Sequence, residues 1–109
     1  MENNSVKEGK TTAIISYITI LGSIIAIFMN MEPKNPFAGF HIRQAFGINI
    51  TFYVLGYFVG NFDSWMVSGA FYIFFSVLWI YGLVGAIQGE MKVIPLLGEY
   101  FQKWFKNLA

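Results

Sequence analysis

Long uncharged apolar runs alternate with short polar ones along this chain, a pattern that predicts a helical membrane protein. Residues 13–31 carry no charge, and at about 1.5 Å of rise per residue such a helix matches a hydrocarbon core roughly 30 Å thick. A first transmembrane helix is expected there, with the hydroxyl of Thr11 or Thr12 capping its start. Lys7 and Lys10 ahead of an apolar run also suit a signal peptide. The run closes on Phe28-Met29-Asn30-Met31 rather than on small residues, so an uncleaved anchor is the expectation. Pro33 and Pro36 interrupt the helix, while Asn35 as cap and Pro36 in a first turn predict a new one. Its early part, with Phe37, Phe40, His41, Arg43 and Gln44, has the mixed character of an interfacial segment. A second span follows over 41–62. Gly60-Asn61-Phe62-Asp63-Ser64 reads as a tight turn, and 65–89 supplies a third span.

The period changes after Lys92. Leu97, Tyr100, Phe101, Trp104, Phe105 and Leu108 recur at helical spacing and share one face of the tail 95–109, with Glu99, Gln102, Lys103, Lys106 and Asn107 on the other. This predicts an amphipathic helix lying flat on the membrane, Trp104 and Phe105 inserted and Lys103 and Lys106 among headgroups. Trp65 is a second interface anchor. The expected architecture is one integral membrane domain over 1–109: all-α, three transmembrane helices, an interfacial segment before the second and an amphipathic C-terminal helix.

Composition narrows the function. The chain is 56% hydrophobic and 12% charged, too few charges to cover a soluble domain. A net charge of +1 without a concentrated basic face excludes nucleic acid as a partner. Partners are expected to be the lipid bilayer and other membrane proteins. With Cys 0 there is neither a disulfide framework nor thiolate chemistry. Three spans put Lys7 and Lys10 on one side and Lys34, Arg43, Lys92, Lys103 and Lys106 on the other, so the positive-inside bias predicts an outside N-terminus and a cytoplasmic tail.

Threading the spans through the bilayer brings Asn30, His41, Arg43, Gln44, Gln88 and Glu90 to one cytoplasmic level. Polar groups at membrane depth must pair or line a wet cavity, which makes this cluster the candidate functional site. Interfacial anchoring, with Arg43 reaching headgroups or Glu90, is the structural alternative. Gly22 and Ala26, Gly56 and Gly60, and Gly82, Gly85 and Gly89 are small residues at which helices can approach closely. Asn49 is expected to hydrogen-bond between helices. His41 is the sole histidine, and with Glu32 and Glu90 it makes a poor zinc set, so no catalytic residue, metal or cofactor is expected.

Two stretches carry a resemblance. Phe40-His41-x-x-Gln44-Ala45 opens a span, and Ala86-x-x-Gly89 closes another before Pro95-Leu96. With the first span, they resemble the small bacterial membrane proteins grouped with the chloroplast inner-envelope protein-import component. The resemblance covers the chain from about Thr12 onward and implies a helical protein of the bacterial inner membrane. The chloroplast member, usually described with four spans, works in protein translocation. The leading expectation is a non-enzymatic accessory or scaffold subunit of a membrane assembly. A small transporter or channel using the His41/Gln44/Gln88 cluster is the alternative, and an intramembrane enzyme a third.

Overall fold

The computed structural model describes residues 2–31 and 34–108, which leaves Glu32 and Pro33 of the proline loop outside it. The described residues form five helices and no strand: α1 (Glu2–Ile18), α2 (Ile20–Met29), α3 (Pro36–Val59), α4 (Trp65–Gln88) and α5 (Gly98–Trp104). The caps follow the sequence. Asn35 Oδ1 accepts from Ala38 N to start α3, with Pro36 in its first turn. Ser64 Oγ accepts from Val67 N to start α4. Gly89 ends α4 in the left-handed conformation, φ 75°, which glycine adopts without a Cβ penalty.

The expected first span is not one helix. At Thr19 the backbone becomes extended (φ −155°, ψ 178°), and the chain folds back on itself. Thr19 caps α2 by accepting from Gly22 N at 3.2 Å. Ser23 Oγ donates to Ser16 O at 2.7 Å, and the Trp79 indole N–H donates to Tyr17 O. Two carbonyls orphaned by the end of α1 thereby find partners, without which the break would be costly. Gly22 lies so close to α1 that an added Cβ would sit 2.2 Å from Ile15 O. The antiparallel α1–α2 hairpin therefore rests on Gly22, Ser16 and Ser23, with Asn30 returning to the level of Gly9 and Thr12.

α3 and α4 form a second, longer hairpin, each helix 24 residues and about 36 Å long. The first hairpin covers only half of it. Buried residues of α3 run from Phe37 to Ile48, and those of α4 lie between Phe75 and Ala86. Beyond them Tyr53, Tyr57, Phe58, Met66 and Ile73 are exposed. The core joins Ala13 and Tyr17 of α1, Phe37, Ala45 and Ile48 of α3, Phe75, Leu78 and Ala86 of α4, and Ile94 and Phe101 of the tail.

α4 is the one helix among the described residues that is long and apolar enough to cross a membrane, and only 28% of its apolar window is buried, unlike the core helix of a soluble protein. α3 matches it in length but opens with His41, Arg43 and Gln44. Neither α1 nor α2 is both long and apolar enough, so among the described residues one helix rather than three meets the requirement for a span. An added Cβ on Gly89 would lie 2.8 Å from Val6 Cγ1, so the start of α1 and the end of α4 share one end of the molecule.

Candidate functional site

The polar cluster is built around α3. One turn of that helix separates His41 from Gln44, so both side chains leave the same face, and both are fully buried. His41 Nε2 lies 2.8 Å from Glu90 O, and Nδ1 lies 2.7 Å from the Tyr17 hydroxyl. A carbonyl can only accept, so Nε2 carries the proton toward Glu90. Gln44 Nε2 donates to the same Tyr17 oxygen at 2.9 Å, which leaves the phenol proton for His41 Nδ1. The imidazole is thus neutral, with one tautomer selected. Tyr17, Phe37 and Phe40 stand edge-on around it, centroids 5.5, 4.8 and 5.1 Å away.

Gln44 completes the arrangement. Its Nε2 also donates to Lys92 O at 3.1 Å, and its Oε1 accepts from Ile94 N at 2.9 Å. The segment after α4 has no secondary structure of its own through Ile94. His41 and Gln44 supply the bonds that its backbone would otherwise lack. Just beyond, Leu97 N donates to Pro95 O at 2.8 Å across Leu96, whose φ of 69° marks the rarer, strained kind of γ-turn. Among the described residues no buried side-chain nitrogen or oxygen lacks a partner.

The other expected members stand apart from this centre. Asn30 exchanges two bonds with the Asn35 backbone and closes the loop before α3. Arg43 Nε donates to Gln102 Oε1 at 2.7 Å, and Gln102 Nε2 donates to Phe40 O, which ties α5 to α3. Gln88 is exposed at the end of α4. The Glu90 carboxylate pairs with Lys92 at 3.5 Å on the surface, while only its backbone carbonyl reaches His41. Tyr17, Lys92 and Ile94 complete the centre and were not anticipated. Tyr17 sits inside an apolar run where a tyrosine reads as packing, and backbone partners leave no mark on residue type.

The small residues divide similarly. Ala26 is buried against α3, with Ala38 and Ile42 in the same cluster. An added Cβ would meet the Tyr17 ring at 2.7 Å from Gly82, and would lie 3.7 Å from His41 Cε1 at Gly85. Gly56 faces Phe71 at an ordinary 3.6 Å, and Gly60 has only its own helix nearby, so this pair brings no helices close. Asn49 donates to Ser23 Oγ at 3.0 Å, joining α3 to the α1–α2 hairpin.

Part of the apolar face of the tail packs on α3. Phe101 packs on Gly47, where a Cβ would lie 2.3 Å from its ring, and Phe105 stands edge-on to Phe46 at 5.2 Å. Tyr100 and Trp104 remain exposed beside Lys103 and Lys106. Trp65, 84% exposed, stands at the opposite end of α4. Between α3 and α4, beyond the centre, lies a cleft of about 160 Å³ lined by Ile48, Asn49, Phe52, Phe75, Ser76 and Trp79. No group of three or more metal-ligating side chains occurs among the described residues.

These features define an all-helical protein with a helix fit to cross a bilayer and a buried, internally satisfied polar centre. The chain is similar to a UPF0132 membrane protein of the archaeon Methanocaldococcus jannaschii, 26% identical over 83 residues, which are 74% of this chain and 59% of the relative. It thus spans about three-fifths of that protein's length. No family model and no solved structure matches it.

Proposed function

We propose that the chain is a non-enzymatic, multi-pass membrane protein that serves as an accessory or scaffold subunit of a membrane assembly, and that its polar centre latches the fold. The observation that carries this reading is the closure of the centre. Tyr17, His41 and Gln44 spend their polar atoms on one another and on the backbone of Glu90, Lys92 and Ile94. Transport of an ion or polar solute needs groups free to take it at successive depths. Past Asn49 and Ser76 the facing surfaces of α3 and α4 are Phe52, Phe71 and Phe75, ring against ring. Nucleophilic catalysis needs a base beside a hydroxyl that a substrate can reach, yet the Tyr17 hydroxyl on His41 Nδ1 is fully buried and also holds Gln44, while Ser16 and Ser23 donate to backbone carbonyls.

Similarity to an archaeal membrane protein supports the membrane location. The resemblance to the import component supports, as the more specific form, an inner-membrane assembly that handles protein translocation. Several residues of the two motifs lie in or beside the latch: Phe40, His41 and Gln44 on α3, and Gly89, which ends α4 just before the segment the latch holds. The test is paired, with wild type and His41→Ala compared for melting temperature and partner recovery in mild detergent, and for proton or ion flux in proteoliposomes. The expected result is a less stable variant with weaker partner retention, and no wild-type flux above empty liposomes. Wild-type flux that disappears in a folded, partner-retaining His41→Ala protein would overturn the reading.

A further inference from the structure

Folding α1 back on α2 changes where the charges lie. Lys7 and Lys10 near the start of α1, Lys34 before α3, Arg43 early in α3, Lys92 after α4, and Lys103 and Lys106 at the tail account for every Lys and Arg of the chain. All belong to the end where Val6 meets Gly89 and Gly9 meets Asn35. The opposite end, the α3–α4 turn, has Asp63 as its one charged residue. α2, with 10 residues, is about 15 Å long, half the hydrocarbon thickness. On either side of its tip at Thr19, Ser23 accepts from Asn49 and Tyr17 O accepts from Trp79, midway along the longer hairpin. The side turned away from α3 and α4 shows Ile18, Leu21, Ile25 and Phe28, each more than half exposed.

We propose that α1 and α2 form a re-entrant hairpin confined to the cytoplasmic leaflet, that α3 and α4 cross the bilayer, and that both termini lie in the cytoplasm. The outer face from Ile18 to Phe28 is a contact surface for the acyl chains of that leaflet alone. A break in a helix at membrane depth is tolerated only where its backbone is satisfied by protein. Here Thr19, Ser23 and Trp79 do this. The charge asymmetry sets the direction, since basic residues flanking spans stay cytoplasmic. The proposal rests on the membrane reading above but not on the latch or on the absence of flux, so the two can fail separately.

The chain has no cysteine, so single substitutions report cleanly. Glu8→Cys, Ile18→Cys, Leu21→Cys, Asn61→Cys and Asn107→Cys all fall at exposed positions. In intact cells a membrane-impermeant thiol reagent should label Asn61→Cys only, and after inner-membrane permeabilisation Glu8→Cys and Asn107→Cys as well. Ile18→Cys and Leu21→Cys should react only in detergent. Labelling of Glu8→Cys together with Asn61→Cys in intact cells would restore three spans and overturn the proposal. So would labelling of Ile18→Cys or Leu21→Cys from either aqueous side.

Discussion

The Gln44 carboxamide pairs with the backbone around Ile94 much as a neighbouring strand would, accepting from Ile94 N at 2.9 Å and donating to Lys92 O at 3.1 Å. One side chain on α3 therefore fixes a segment fifty residues later that has no helix or sheet to satisfy it. Because α5 follows that segment and packs on Gly47, the position of the tail depends on the same contact.

Replacing Gln44 by Ala leaves the buried Ile94 N–H unpaired, at a cost of about 1–3 kcal/mol, and removes the donor to the half-buried Lys92 O. A clear fall in melting temperature in detergent is expected. Gln44→Glu should not rescue it, because the donor that faces Lys92 O and Tyr17 is lost and a buried charge is added.

The Tyr17 hydroxyl bridges His41 and Gln44, so Tyr17→Phe keeps the packing and removes only the bridge. The expected cost is about 1–2 kcal/mol, in the range measured for hydrogen bonds between membrane helices. Equilibrium unfolding in mixed micelles would measure it, and a loss no larger than that of an exposed Tyr72→Phe control would count against the bridge.

Glycines in α4 give a contrast within one helix. An added Cβ at Gly82 would press on Tyr17, while at Gly69 it would meet nothing within 4 Å. Gly82→Ala should destabilise by about 1–3 kcal/mol through overpacking. Gly69→Ala should be neutral or stabilising by up to about 1 kcal/mol through helix propensity. Their melting temperatures should move in opposite directions or differ plainly.

Elements with strong local chemistry were legible in the sequence. Asn35-Pro36 starts α3 where capping rules put it, and α4 begins right after the tight turn that ends at Ser64 and closes at Gly89, where the third span was expected to end. The break at Thr19 was not, since no glycine or proline marks it and the flanking Ile18 and Ile20 continue an apolar run. Its signals were indirect: Thr19 three residues before Gly22, and Ser16 and Ser23 seven apart, able to satisfy a hairpin bent between them. His41 and Gln44 could be singled out by residue type. Their partners are largely backbone carbonyls and amides, which every residue carries, so their role could not be read from composition. Missing the break also hid that the start of α1 lies against the end of α4.

The tail offers a separate handle. Gly47→Val would drive a side chain into the Phe101 ring, which lies where the Cβ must go. Release of α5 is expected, seen as faster proteolysis after Lys103 and Lys106 with the helical content of the rest retained. Equal cleavage rates in both proteins would show that α5 is not held there.

His41 and Gln44 together hold the backbone that follows α4. Amide hydrogen exchange at Ile94 tests it most directly, in wild type and Gln44→Ala reconstituted in nanodiscs. Exchange at Ile94 is expected to be slow in the wild type and to rise by about tenfold or more in the variant, with the amides in the middle of α4 still protected. Equal exchange at Ile94 in both proteins, or fast exchange in the wild type, would contradict it.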